Sequence, residues 1–288
     1  MIYLNNKLVP RDRARISVFD HGFLYGDGIY ETLRAYNGVV FMFDKHIERL
    51  YRSASLIDLN IPMSPDAVKR AVYKTIKANR LKEAVIRITV SRGAGPVGLD
   101  PALCPEPTFV IFATQFRKYP EQFYLKGVKI TIADTRRNYS GAIDPRIKSL
   151  NFLNNILAKI EAKKKDAYEA IMLNYRGYLA EGTISNIFFI KDNVLHTPSL
   201  KVGLLDGITR RIILDAAKAL HIATREGSFK PRDIQGAEEA FISNTTMEVM
   251  PVAEISSMKK FNGPGRITRL LHKAYKQKVA DDTRRRGE

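Results

Sequence analysis

Tryptophan is absent from the 288 residues and cysteine occurs once, as Cys104. A lone thiol excludes an internal disulfide framework and a thiolate metal cluster, and it suits a reducing compartment. Long apolar runs are also missing, with none near the ~20 residues that a membrane-spanning helix needs. The opening segment MIYLNNKLVPRDR lacks the layout of a secretory leader. These absences lead to the expectation of a cytoplasmic protein with no membrane partner and no metal. Acidic residues are under-represented: 30 Asp and Glu stand against 47 Lys and Arg, a formal net charge of +17. Such an excess favours nucleic acids, acidic membrane surfaces or small anions. The basic residues are dispersed, however, with the densest runs at Lys163–Lys165 and Arg284–Arg286. Zinc-finger spacing, aromatic-interleaved basic stripes and ribonucleoprotein signatures do not occur, so no nucleic-acid partner is expected.

What is present reads as mixed α and β structure. The hydrophobic fraction of 45% and charged fraction of 27% are those of a globular chain, and the length suits one large domain or two ordinary ones. IYLNN and KLVP suggest a hairpin, and Val39–Phe43 a strand. Phe43, Ile47, Leu50, Tyr51, Ala54 and Ile57 recur at helical spacing. Ser64-Pro65 is a helix start, with the helix running to about Asn79. Ala84–Ser91 and Thr108–Phe116 are rich in β-branched and aromatic residues and read as strands. The polar stretch after Phe116 is the best linker, giving an N-terminal α/β domain over residues 1–117, a linker over 118–127 and a larger α+β domain over 128–288. In the second part, VKITIAD, YEAIMLN, YLAEG, SNIFFI, VLHTP and EEAFISN read as strands. A helix opening after Lys148 carries Leu150, Leu153, Ile156, Leu157 and Ile160 on one stripe. GITRRIILDAAKAL is another helix, and a third runs from about Gly265 to Ala280 before a charged tail expected to fray. Two domains with a cleft between them are the natural architecture.

Four places could carry chemistry. Lys148 sits at an element boundary, where an amine can become a Schiff-base nucleophile; a surface lysine is the ordinary alternative. Glu181, in LAEGTISNIFFI, ends a strand and could face a cation such as a protonated ring nitrogen, or simply water. In LLDGITRR a loop becomes a helix, so Gly207, Ile208 and Thr209 offer N–H groups and a hydroxyl to an anion such as phosphate; Asp206 could instead be a helix cap. Ser243, Asn244, Thr245 and Thr246 end a strand with four polar side chains that could bind an anion or cap a turn. Singly each is ordinary. Together they supply an amine for an aldehyde, an anion for a pyridinium and donors for a phosphate.

Their order resembles that of the class IV aminotransferases, the fold-type IV pyridoxal-phosphate enzymes. The resemblance runs nearly end to end, through DHGFLYGDGIYETLRAYNG, FDKHIERLYRSA, SRGAGPVGLDP, KSLNFLNNILAKIEA, LAEGTISNIFFI, LLDGITR and NTTMEVMPV. It implies a two-domain α+β fold, with pyridoxal 5'-phosphate in the cleft between a small N-terminal and a larger C-terminal domain. It implies that Lys148 carries the cofactor and moves the substrate Cα proton. Glu181 would pair with the ring nitrogen, and Arg49, Ile208, Thr209 and Thr245 would hold the phosphate. Amino acid and 2-oxo acid substrates and a homodimer are implied in the same way, and Asn186 receives no role.

Within the family, SRGAGPVGLDP and LRAYNGVVFM resemble the branched-chain group, which leads to the expectation of branched-chain L-amino acids with 2-oxoglutarate as acceptor. Arg87 matches the arginine used for the second carboxylate of glutamate, and an ordinary sheet-face ion pair is its bland reading. Several departures point towards D-amino-acid enzymes or a mixed specificity, and the lyases acting on aminodeoxychorismate are a third possibility. Val85 and Phe152 stand where branched-chain enzymes often carry tyrosines. Tyr30 replaces a phenylalanine, and Thr245-Thr246 departs from the branched-chain Gly-Thr-Ala. Substrate contacts are therefore expected at Tyr30, Arg34, Arg87 and Thr246.

Overall fold

A computed structural model describes residues 1–287 as two compact units. One comprises residues 1–117, 147–151 and the described residues from 281 onward, and the other residues 118–146 and 152–280.

The N-terminal unit is built on a six-stranded sheet in the order β2-β1-β6-β5-β3-β4. Its strands are β1 (Ile2–Leu4), β2 (Lys7–Val9), β3 (Gly28–Tyr36), β4 (Val39–Val40), β5 (Ala84–Ser91) and β6 (Thr108–Gln115), and its helices are α1 (His21–Leu24), α2 (Phe43–Ser55) and α3 (Pro65–Ala78). All neighbours in the sheet are antiparallel. Alternation along β3 and β5 gives the sheet two different faces. Ile29, Leu33 and Ala35 of β3, with Ala84, Ile86, Ile88 and Val90 of β5, form a core with Phe43, Ile47 and Leu50 of α2 and Val68, Val72 and Ile76 of α3. Tyr30, Thr32 and Arg34 point the other way, opposite Thr89, Arg87 and Val85. Each fully buried aliphatic side chain contributes about 1.5–3 kcal/mol, so this core accounts for most of the unit's cohesion.

Local chemistry sets the ends of these elements. Ser64 accepts a hydrogen bond from the Ala67 N–H and starts α3, a cap contributing about 1 kcal/mol. The strand expected over Val39–Phe43 stops after Val40, because Met42 takes a left-handed conformation (φ 51°) and Phe43 already belongs to α2. Asp282 supplies what α2 lacks at its start: its carboxylate accepts the Met42 N–H at 3.0 Å. The tail expected to fray is helical instead, as the end of α8 (Arg266–Gly287), and Arg286 reaches both Asp44 and Asp282.

The C-terminal unit holds a nine-stranded sheet in the order β12-β11-β10-β13-β14-β7-β8-β9, with β15 on β14. These are β7 (Val128–Ile132), β8 (Glu169–Leu173), β9 (Leu179–Gly182), β10 (Asn186–Lys191), β11 (Val194–Pro198), β12 (Thr224–Gly227), β13 (Glu239–Asn244), β14 (Glu248–Ile255) and β15 (Lys259–Lys260). Helices α4 (Glu121–Lys126), α5 (Leu153–Lys164), α6 (Ile208–Ala219) and α7 (Pro231–Gln235) accompany it. Helix α4 occupies most of the stretch read as a linker. Strands β8, β10 and β13 are buried almost throughout, which is why they read as continuous apolar runs rather than alternations.

Helix α5 opens at Leu153 rather than directly after Lys148. Its apolar stripe faces outward: Leu153 is 69% exposed, and Ile156, Leu157 and Ile160 are about half exposed. The buried face consists of Ala158 and Ala162, packed on Ala133, Ala170 and Met172. Leu150 precedes the helix, in the segment that belongs to the N-terminal unit.

Candidate active site

Lys148 lies in a short extended segment alongside the start of β3. Its carbonyl accepts the Tyr30 N–H at 2.9 Å, Leu150 N–H donates to Gly28 O, and Ile29 and Ser149 form an isolated bridge. The Lys148 N–H donates to Ser53 Oγ on α2 at 3.2 Å. The backbone of this lysine is therefore held by both a strand and a helix. Its amine donates to the Tyr30 hydroxyl at 3.1 Å and lies 4.3 Å from the Tyr30 ring centre. Arg87 stacks on the same ring at 3.4 Å. Burial lowers the Arg87 pKa against the upward pull of Tyr30 and Glu31, and its Nε donates to Thr89 Oγ1 at 3.3 Å. Among the described residues no carboxylate lies within ion-pair distance of Arg87, so the bland reading of an ordinary sheet-face ion pair does not hold. Arg34, on the same sheet face, packs its guanidinium over Phe116 and Tyr36 at 3.7 and 4.1 Å.

Arg49 is on the core side of that sheet. Its Nε and Nη2 donate to the two oxygens of Glu31 at 2.6 and 2.9 Å, and His46 Nδ1 lies 2.8 Å from Glu31 Oε2. All three side chains are buried. Burial alone would raise the Glu31 pKa. The charge of Arg49 and the hydrogen bonds from His46 and Arg49 outweigh it and hold the carboxyl well below the usual range.

In the C-terminal unit, Glu181, the last residue but one of β9, has both oxygens engaged. Arg137 Nε donates to Oε1 at 2.7 Å, and the Leu205 N–H donates to Oε2 at 3.1 Å. Arg137 sits in a well-braced loop. Its own N–H donates to Leu173 O, Asn154 of α5 holds the preceding carbonyl, and Glu161 of α5 accepts the N–H groups of Asp134 and Thr135. The turn after Glu181 is organised by the buried carboxylate of Glu169. It accepts from the Thr183 N–H and hydroxyl at 3.1 and 2.6 Å and from Ser185 Oγ at 3.0 Å. Gly182 is required in that turn, since a Cβ there would meet Ser185 Oγ at 2.1 Å.

Ile208 and Thr209 open α6 and are buried. Asp206 does not cap the helix: it pairs with Arg211, and the cap position is Gly207, which has no side chain to use the first N–H groups. A Cβ on Gly207 would lie 2.1 Å from Asn186 Oδ1. Asn186, unassigned from sequence, donates to Leu205 O at 3.1 Å. Directly opposite Asn186 in the sheet stands Ser243, whose buried hydroxyl has no hydrogen-bond partner among the described residues. Thr245 is half-buried in the turn that follows, and Thr246 Oγ1 bonds Asn244 Oδ1 and the Tyr119 hydroxyl, each at 3.1 Å.

The sequence profile of the family described as amino-transferase class IV matches residues 28–255. The chain belongs to the class IV aminotransferases. Its relatives carry more than one specificity. A putative branched-chain-amino-acid aminotransferase of Methanocaldococcus jannaschii is 41% identical, covering 96% of this chain and 95% of that protein. A D-alanine aminotransferase of Listeria monocytogenes is 36% identical, covering all of this chain and 98% of that one. Among solved structures, the T.th. branched-chain amino acid aminotransferase with pyridoxamine 5'-phosphate superposes with a TM-score of 0.93 at 28% identity, covering 99% and 96% of the two chains. The fold is the α+β fold of the type IV enzymes, and the enzyme is a pyridoxal-phosphate-dependent transaminase.

The residues of this class IV aminotransferase suit that cofactor in kind. The uncapped start of α6 and the unpartnered Ser243 hydroxyl suit a phosphate. The Arg137-bound carboxylate of Glu181 suits a protonated ring nitrogen, and the amine of Lys148 suits an aldehyde. Sequence reading missed Glu31, His46, Ser53, Arg137 and Glu169. The only available signal was the family run HIERL, whose histidine and arginine are three residues apart and so share a helix face.

Proposed function

We propose that this enzyme transfers the amino group of branched-chain L-amino acids to 2-oxoglutarate, acting as a homodimer in the cytoplasm. Arg87 carries the reading. It is a partly buried cation with no carboxylate partner among the described residues, on the same tyrosine ring that the Lys148 amine approaches. A desolvated guanidinium without a carboxylate partner is a receptor for an anion, and 2-oxoglutarate brings a second carboxylate that a branched-chain acid lacks. Val85, on the same sheet face, offers apolar surface to an aliphatic side chain.

When bound, pyridoxal phosphate supplies an aldehyde for amine exchange and a conjugated ring that accepts the electrons released at Cα. The chain supplies the rest. Lys148 Nζ, oriented by the Tyr30 hydroxyl, would take up and hand on the proton of the substrate Cα. Glu181, held by Arg137, would pair with the ring nitrogen of the cofactor. Arg49, the N–H groups of Ile208 and Thr209, the Thr209 hydroxyl and Thr245 bind the phosphate. Tyr30, Arg34 and Thr246 contact the substrate carboxylates with Arg87. A second copy of the chain covers the exposed stripe of α5, since a row of four outward aliphatic residues marks an interface.

Tyr30, Phe152 and the D-alanine aminotransferase relatives support a second reading, transamination of D-amino acids. Assays of keto-acid formation from L-leucine and from D-alanine, each with 2-oxoglutarate, separate the two. Turnover of L-leucine is expected; turnover of D-alanine alone would overturn the proposal. Release of pyruvate from aminodeoxychorismate would instead identify a lyase.

A further inference from the structure

The core of the N-terminal unit contains a polar island. Glu31 takes a β3 position between Ile29 and Leu33, and these two belong to the aliphatic cluster packed on α2. An aliphatic residue at position 31 would suit that cluster. The island instead contains a carboxylate, a guanidinium and an imidazole with at most a few per cent exposure each. Burying such a group costs desolvation that its internal pairing roughly offsets, and an apolar replacement of equal volume is often at least as stable. Fold stability therefore does not explain it.

The geometry has a direction. Helix α2 bears His46, Arg49 and Ser53 at i, i+3 and i+7, one side of the helix. Ser53 holds the Lys148 backbone. Arg49 meets Glu31 as a fork through Nε and Nη2, an arrangement that fixes the plane of the guanidinium as well as its position. His46 donates to the same carboxylate from one turn earlier and limits its rotation. Burial, together with the charges of Arg49 and Lys148, outweighs the pull of Glu31 and favours the neutral imidazole. The net charge of the island is then close to zero. Arg49 is left as an oriented donor with its charge already matched.

We propose that Glu31 and His46 are positioning residues for the cofactor phosphate: they set the plane of the Arg49 guanidinium before the phosphate arrives. This rests on the assignment of Arg49 to the phosphate. Preorganisation of a donor lowers the ordering cost of binding, so loss of either residue loosens the cofactor although neither touches it.

The test uses the holoenzyme and three variants, Glu31→Gln, His46→Asn and Arg49→Ala. Two properties are read: the dissociation constant of pyridoxal phosphate, from cofactor release on dilution, and the ³¹P resonance of the bound phosphate. Glu31→Gln is expected to weaken binding by about tenfold to a hundredfold and to shift or broaden the phosphorus line. His46→Asn keeps a donor at the Nδ1 position and is expected to weaken binding by less than tenfold, with a line shift in the same direction. A purely structural role would lower the unfolding temperature and leave the phosphorus line where it is. Unchanged affinity and resonance in Glu31→Gln, with Arg49→Ala loosened, would overturn this proposal alone. Unchanged binding in Arg49→Ala would overturn the phosphate assignment beneath it. Should Glu31→Gln not fold, His46→Asn decides: a wild-type line and affinity there overturn the proposal.

Discussion

Arg137 Nε lies 2.7 Å from Glu181 Oε1, with both side chains about nine-tenths buried. A hydrogen bond between charged groups contributes about 1.5–3 kcal/mol. Its loss should loosen the Glu181 carboxylate, and with it the pairing to the ring nitrogen proposed for that residue. Arg137→Met is expected to lower kcat/KM by roughly tenfold to a hundredfold, since about 1.4 kcal/mol is tenfold in rate. Steady-state kinetics with the best donor check this; wild-type turnover would remove Arg137 from the mechanism.

Tyr30 offers a sharper test, because one oxygen atom is at stake. Tyr30→Phe keeps the ring that both Lys148 and Arg87 approach and deletes the hydroxyl 3.1 Å from the lysine amine. Thermal stability should stay within a few degrees of wild type, while kcat falls about tenfold or more. An unchanged kcat would show that the amine needs no such guide.

Arg87 should matter for one half-reaction more than the other. Arg87→Met is expected to raise KM for 2-oxoglutarate by about tenfold to a hundredfold. The single-turnover reaction with L-leucine, followed by the cofactor absorbance, should change much less. Equal losses in both half-reactions would contradict its assignment to the second carboxylate.

His46 makes a prediction about pH. In the folded protein its pKa lies below the ordinary value of about 6.5: burial lowers it, and the pull of Glu31 does not restore it. The unfolded chain therefore binds this proton more readily than the folded one. The stabilising contribution is complete above pH ~6.5 and is lost as pH falls from there towards the folded value. The urea midpoint should decline below pH ~6.5 in the wild type, and less steeply in His46→Asn. Parallel profiles would refute the assignment.

The outward stripe of α5 predicts an assembly phenotype. Leu157 is about half exposed within one chain, so Leu157→Glu should change monomer stability by only about 0.5 kcal/mol. Light scattering should nevertheless report half the wild-type mass. A dimer that survives the change would place the interface elsewhere.

These residues differ in how far the sequence announces them. Strands β5 and β6, helix α3 with its Ser64 cap and the glycine start of α6 are local: their periodicity and turn chemistry act within a few residues. Lys148, Glu181 and Arg87 are visible through motif order. Arg137 is not, because TRRNYSG reads as any basic loop until Leu173, Asn154 and Glu161 brace it from distant parts of the chain. Glu31 and His46 are hidden for a similar reason, since an ionisable residue in an apolar run gives no sign of whether a partner 15 or 18 residues away will meet it. Helix α5 misleads because periodicity reports an apolar stripe without saying whether the same chain covers it.

The N-terminal unit is completed by residues 147–151 and by the C-terminal part of α8 from Asp281 onward, whose Asp282 receives the Met42 N–H. Asp282 lies 240 residues after Met42 in the chain. During synthesis on the ribosome, Arg49 therefore rides on a helix whose first turn stays unanchored until that distant stretch has emerged.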